Sequence, residues 1–378
     1  MFRFLFKYSA LLFILNTILL SIKPFYQLGN QFFLLLMGLM SIVIVSNPNQ
    51  IKKIIFHKAF SFLLILNLIN FIYFLIFHNL SEIESIKYLI ARFLQFTIIS
   101  SSIFINFSFY KKNFLNYLVN IIFLICLAGL VFNPNLFQGR YSGIMWNPNA
   151  FASFSVIAFA ILFFKLNKNK FQIFMMIFFM ILSLSTGSRG VIVALVLAFL
   201  IRYGISLKNV GFSLMGVILF FIVINFQFET SINRLATQTL LNDRLIQYEY
   251  AIKSISNKLY SGYGLDKYAY LDKSLVPVYL KSQIIGAHNG YLAILTQLGI
   301  FFGSMSLIII LRKAFILIIK HISNNQVHIY VFILLYTLIA SIYESLIVGI
   351  NEFITILFWF SLSKLSFYKY QLKSNNEN

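Results

Sequence analysis

The chain is a succession of apolar runs of about 15–22 residues, each long enough or nearly so to cross the hydrocarbon core of a bilayer. No other feature constrains the fold so strongly. In lipid a backbone must satisfy its own hydrogen bonds, and a run of this length does so as a helix. About twelve such segments can be placed, at 5–22, 31–46, 59–77, 88–109, 114–132, 148–164, 171–186, 190–203, 209–226, 289–311, 327–345 and 350–367. The expected fold is therefore all-α: a polytopic integral membrane protein of about twelve transmembrane helices, with 1–378 as one membrane domain.

Composition agrees. Hydrophobic residues make up 60% and charged residues 11%, where a soluble domain carries roughly 25% charged residues. The net charge of +20 would suit nucleic acid, but the charges sit in short connections between apolar runs, so nucleic acid is excluded as a partner. The single cysteine, Cys126, lies in an apolar run, which excludes a disulfide framework and a CxxC site. The N-terminal segment resembles a signal peptide, but Ser21 to Pro24 is a poor cleavage site, and the segment is kept as a first span.

Orientation follows from the basic residues of the connections. With the N-terminus inside, the inner connections carry Lys52, Lys53 and Lys58, then Lys111 and Lys112, Lys165, Lys168 and Lys170, Arg202 and Lys208, and Arg312, Lys313 and Lys320. Glu377 is the only acidic residue on that side. Both termini are thus expected in the cytoplasm. The outer connections are 133–147, the turn 185–190, a large loop at 227–288, and a turn near Glu344 and Glu352. The tail after Lys373 reads as short, polar and irregular.

The large loop concentrates the chemistry. It carries Arg234, Arg244, Gly262 and Gly264, and runs up to His288 and Asn289. Asn242 suits the cap of an amphipathic helix whose face would be Leu245, Tyr248, Ile252, Ile255 and Leu259, with glycines ending it at 262–264. The loop is therefore expected to be partly helical and docked. Arg189 lies thirteen residues before Arg202, about 20 Å of helix, against a core of about 30 Å. This sets Arg189 below the outer surface, in the wall of a depression.

Guanidinium groups grip phosphate with paired hydrogen bonds. Arg140, Arg189 and Arg244 would hold a lipid diphosphate and stabilise it as a leaving group, while His288 would act as base or orienting group for an attacking hydroxyl. No metal is required, since the outer side has no His/Cys cluster and Asp266 and Asp272 stand apart. Plainer roles compete. A lone arginine near a span end is usually a snorkelling anchor, which applies to Arg189 and still more to Arg92. Arg140 and Arg244 could be solvated loop charges, and His288 a residue at a helix start. Asn147-Pro148-Asn149 reads locally as a turn with proline at the first helical position. Tyr260, Tyr263, Tyr268, Tyr270 and Tyr279 suit sugar stacking or an interfacial belt equally.

Four stretches, in order, resemble the O-antigen polymerase/ligase family. Arg140 to Ala150 (RYSGIMWNPNA) resembles its R-x-x-G-x-x-x-N-P-N entry to a span, and Ser185 to Gly190 (STGSRG) its S-x-x-S-R-G turn. Arg244 followed by Gly262 and Gly264 resembles its R…G-x-G loop pattern. Ala287 to Leu292, continuing to Gly299, resembles its H-N-x-x-L…G start of the next span. The resemblance covers about 140–303.

It implies a metal-independent, inverting membrane glycosyltransferase without cofactors, located in the bacterial inner membrane. The donor would be an undecaprenyl-diphosphate-linked oligosaccharide; a chain-length regulator is a further implied partner. Arg189, Arg244 and His288 are implied as catalytic, and Arg140, Asn147, Asn149, Gly262, Gly264 and Asn289 as substrate-binding. Such a protein would be a polymerase of O-antigen or capsule, or a ligase moving the finished glycan to a lipid core. Polymerases of this kind are numerous and diverse in sequence, and polymerase is the expectation. A flippase for the same lipid-linked sugar is a third reading. Against it, transporters show related halves and broken helices near the midplane, whereas here the halves differ.

Overall fold

The computed structural model describes residues 2–136, 139–225, 242–281 and 286–376. Its elements are helices, in the order α1 (Phe2–Ser21), α2 (Tyr26–Val45), α3 (Pro48–Ile55), α4 (Ser61–Phe77), α5 (Ile83–Ile105), α6 (Phe107–Lys112), α7 (Phe114–Phe132) and α8 (Pro148–Phe164). There follow α9 (Lys170–Ser185), α10 (Arg189–Tyr203), α11 (Leu207–Asn225), α12 (Asn242–Asn257), α13 (Gly290–His321), α14 (His328–Ala340) and α15 (Phe353–Asn376). Among the described residues the β-type pairing is an isolated bridge between Ile22 and Met145.

A helix lies over each apolar segment of the sequence. Among the described residues, four are by length and composition long and apolar enough to cross a membrane: Lys23–Val45, α5, α7 and α13. Shorter apolar helices lie within α1, α4, α8, α9, α11, α14 and α15. α10 has 15 residues, roughly 22 Å. The stretch 226–241, with Arg234, lies outside the described residues. The tail differs from expectation, because α15 stays helical through Asn376.

Burial explains the layering. α8 and α14 are buried nearly all round, as expected of helices with no polar face. α15 packs on α1, α5, α8, α13 and α14 and forms the centre. α2, α4 and α9 bury one stripe and expose apolar residues on the other, as at Leu34, Ile42, Leu75 and Phe174. Apolar surface of that extent is out of place in water and natural against lipid tails.

Two irregular features position the site. The first is a break in α13. Gly299 has φ 70° and ψ 176°, which interrupts the helix. The backbone groups so freed are met by the loop: Tyr263 N–H donates to Thr296 O (3.0 Å) and Gly264 N–H to Gln297 O (3.0 Å), while Ile300 N–H of the helix donates to Leu259 O (2.8 Å). Tyr73 adds its hydroxyl to Ser261 O and Gln297 O. Gly262 (φ 61°) and Gly299 face one another so closely that a Cβ on either would collide with the backbone of the other segment. Gly299→Ala is expected to destabilise the protein by about 3 kcal/mol or more, through strain at positive φ plus that collision. Thermal unfolding in detergent would check this; an unchanged midpoint would remove the clip from the account.

The second feature is the irregular connector 341–352 between α14 and α15. Its carbonyls are met by side chains and backbone from elsewhere: Ser341 O by Gly290 N–H, Ile342 O by Asn289 and Tyr248, Ser345 O by Tyr268, Val348 O by Arg92, and Ile350 O by Gln95. Irregular backbone within a helical bundle requires such satisfaction. Arg92 is thus buried as a clamp on this connector rather than snorkelling to a surface.

The loop helix α12 forms where expected but turns a different face inward. Gln247, Tyr250, Ala251, Ser254 and Ile255 are buried, and α12 packs on α13. Of the stripe read from the sequence, Ile255 is buried and Tyr248 half-buried, while Leu245, Ile252 and Leu259 are exposed. Small and polar residues let α12 approach α13 closely, and Ser254 donates to Tyr250 O while accepting from Asp272 N–H.

Candidate functional site

The site gathers around Glu344, in the connector 341–352. Arg244, in the first turn of α12, donates from Nη2 to Glu344 Oε1 at 3.0 Å. His288, just before α13, places Nδ1 3.4 Å from Glu344 Oε2. Asn149, in the first turn of α8, donates from Nδ2 to Glu344 Oε1 at 3.2 Å. Arg140 completes the chain, donating from Nη2 to Asn149 Oδ1 and from Nε to Thr186 O (3.3 Å). Three sequence-distant motifs thus meet on one carboxylate.

Local sequence explains each position. Asn147 caps α8 by accepting from Asn149 N–H (2.8 Å), with Pro148 at the first helical position. Asn289 caps α13, accepting from Tyr291 N–H and Leu292 N–H, and its Nδ2 donates to Ile342 O. Both asparagines, expected to bind substrate, use their carboxamides in capping. His288 has φ 40°, which is rare outside glycine. Strain of this kind persists where surrounding structure over-determines it and clusters at functional sites. Gly262 and Gly264, also expected to bind substrate, contact the broken α13, and Gly264 faces His78 and Asp266. None of their contacts is with the Glu344 cluster.

Arg189 opens α10 after the turn at Gly187 (φ 59°). Its neighbour Gly190 lies against Tyr343, where a Cβ would come within 2.9 Å of the tyrosine hydroxyl. The Arg244 guanidinium sits over the Tyr343 ring, 5.5 Å from its centroid. Tyr343 therefore links the start of α10 to Arg244, one residue before Glu344. Arg244 Nη1 and the Tyr343 hydroxyl are buried with no hydrogen-bond partner among the described residues. An unmet buried donor costs about 1–3 kcal/mol, a cost that a water or another oxygen brought beside it would remove.

The two carboxylates of the connector differ. Burial would raise Glu344, but the hydrogen bond from His288 and the Arg244 charge outweigh it and hold Glu344 below its ordinary value. The stabilisation it brings is present above the ordinary carboxylate value and is lost as pH falls through the lowered one. Glu352, bonded by Tyr268 and Thr355, is pushed up to about 7 by burial, against those hydrogen bonds. A raised acid favours the folded state most below its unfolded value, and that advantage is lost as pH rises through about 7. Glu352→Gln should therefore raise the unfolding midpoint at pH 8 by ~2–4 °C and leave it nearly unchanged at pH 5. Equal shifts at both pH values would contradict a buried titrating acid.

Sequence reasoning left Glu344, Glu352 and Arg92 without roles and passed over Tyr343. A carboxylate in a membrane-protein turn was the available signal for Glu344. Among the described residues no group of three or more His, Cys, Asp or Glu is placed to hold a metal ion.

The fold and site define a helical membrane protein with a loop-capped, arginine-rich site. Residues 171–307 match the family model described as O-antigen ligase. The chain is similar to that family over this range, which includes Arg189, Arg244, His288 and the clip at Gly262, Gly264 and Gly299. Arg140, Asn149 and Glu344 fall outside the matched range. No curated protein matches the chain.

Proposed function

We propose that the protein transfers a glycan from undecaprenyl diphosphate onto a lipid-linked repeat unit at the outer face of the inner membrane, as the polymerase of a surface polysaccharide such as O-antigen or capsule. The observation that carries this reading is the meeting of Arg140, Arg244 and His288 around Glu344 and Asn149, with Arg244 Nη1 and Tyr343 Oη unmet. The large loop faces outward, both termini are cytoplasmic, and about twelve helices cross the bilayer.

The donor diphosphate is held by Arg244 and Arg189 with help from Tyr343. An apolar groove of about 550 Å³ runs between α10 and α11, lined by Ile192, Leu195, Val196, Phe199, Phe212 and Val217. It begins below Arg189 and suits the polyprenyl tail. The acceptor hydroxyl attacks the anomeric carbon from the face opposite the diphosphate. Its proton passes to His288 Nε2 as the bond from sugar to diphosphate oxygen breaks. Glu344 holds the Nδ1–H tautomer of His288, leaving the Nε2 lone pair for this task. The 3.4 Å separation is long, as is common before substrate binds. The leaving diphosphate keeps its charge against the arginines, so the step is metal-independent and inverting.

Glu344 occupies Arg244 as an anion would, so donor must compete with it. Glu344→Gln is expected to lower KM for donor while lowering kcat about 10-fold or more, because the rival charge is gone and His288 loses its carboxylate. A variant with both constants unchanged would remove Glu344 from the site.

The reading is tested with purified protein and its lipid-linked repeat unit as sole substrate. A ladder of products supports polymerisation. The second reading is ligation, the activity in the matched family's description; single transfer only after a lipid core or other acceptor is added would establish it. Inertness under both conditions would favour a flippase. The broken helix α13 does not itself argue for transport, because the break at Gly299 is filled by the chain's own backbone.

A further inference from the structure

A second cavity lies at the far end of α10, about 20 Å of helix from Arg189. Its volume is about 180 Å³, and it is lined by Phe164, Leu166, Arg202, Tyr203, Asn325 and His328. The cavity thus sits where the end of α8, the end of α10 and the start of α14 meet.

Its electrostatics are one-sided. Arg202 donates from Nη1 to Phe163 O at 2.6 Å and lies over the Phe163 ring. Lys168 donates to Lys165 O at 2.6 Å, which folds the 165–169 turn back on itself. Burial, then the charges of Arg202 and Lys165, push the Lys168 ammonium below its usual range. None of these three cations pairs with a carboxylate among the described residues. His328 donates Nε2–H to Ile322 O, since a carbonyl can only accept, and supplies no acid. Cations gathered at one helix end with no acid beside them are stabilised by a bound anion.

The surroundings say which anion. Leu166 and Tyr203 on the cavity rim are exposed, and so are Ile205 and Leu207 just beyond. A soluble phosphate has no use for that apolar rim, whereas a glycerophospholipid lays its acyl chains along it. A helix end whose arginine has no acidic partner, above apolar surface, is the chemistry of an anionic lipid headgroup site.

We infer that the cavity between α8, α10 and α14 binds the phosphodiester headgroup of an anionic glycerophospholipid, with Arg202 on the phosphate, Lys168 of the adjoining 165–169 turn adding its charge, and the acyl chains over Leu166 and Tyr203. This site is separate from the transfer site and does not depend on the reaction assigned there. The bound lipid ties three helices of the bundle together.

The test is thermal unfolding of the delipidated full chain in neutral detergent, titrated with phosphatidylglycerol, phosphatidylcholine or inorganic phosphate. Phosphatidylglycerol should raise the midpoint saturably, while the other two should not. Lys168→Gln and Arg202→Gln should each weaken the apparent affinity about fivefold, and Lys112→Gln, away from the cavity, should leave it unchanged. Lys168→Gln decides alone if Arg202→Gln does not fold, because Lys168 holds only its own turn. Equal stabilisation by phosphatidylcholine, or a wild-type response from Lys168→Gln, would overturn the site. An equal loss with Lys112→Gln would reduce the effect to overall charge and overturn it too. A full shift with inorganic phosphate would make the ligand a soluble phosphate and refute the lipid assignment.

Discussion

Arg244→Ala is expected to lower kcat/KM for glycan transfer by about 10²–10³, while the protein still inserts and accumulates. The two effects separate because their sizes differ. In the free protein Arg244 pairs with Glu344 at a partly exposed position, and such a pair is worth about 0–1 kcal/mol. Its unmet Nη1 is worth far more once a diphosphate arrives, because charge grows on the leaving oxygen during the reaction. Arg244→Lys should rescue little, since a point charge cannot make the paired hydrogen bonds of a planar guanidinium. Initial rates of product formation by purified protein, normalised to the amount in the membrane, measure the loss. Wild-type turnover by Arg244→Ala would remove it from the site.

His288→Ala should cost about 10²–10⁴ in kcat if the imidazole takes the proton of the acceptor hydroxyl. The backbone offers a sharper control. His288 sits at φ 40°, a conformation that glycine adopts without strain. His288→Gly should therefore fold at least as stably as the wild type and yet be equally inactive. A stable, inactive glycine variant separates chemistry from fold in a way that alanine cannot. If His288→Gly unfolds at a lower temperature, the imidazole is instead a structural partner of Glu344.

Much of the architecture was readable because each signal is local. Apolar runs place α1, α2, α4, α5, α7 to α11 and α13 to α15, since a helix satisfies its backbone within the run, but α13 and α15 run on well past the expected ends at 311 and 367. The turn before Arg189 and the start of α8 at Pro148 follow from glycine, asparagine and proline at fixed offsets. The period of α12 was equally visible, but its face was not. Hydrophobicity pointed to Leu245, Ile252 and Leu259, while close packing on α13 selected Ala251 and Ser254. Near a membrane, apolar residues need not face inward, so the usual rule loses its direction.

Glu344 is the clearest case of what only the tertiary structure decides. It meets Arg244 across 100 residues, His288 across 56 and Asn149 across 195. No spacing in the chain encodes those meetings. The same holds for Gly262 and Gly264, whose pattern resembles a ligand loop and which close the break at Gly299. The sequence by itself determined that this is a helical membrane protein with arginines and a histidine in its longest polar loop, because backbone satisfaction in lipid and helix capping act over a few residues. Which carboxylate gathers those groups, and which glycines close the broken helix, was decided by packing between segments far apart in the chain.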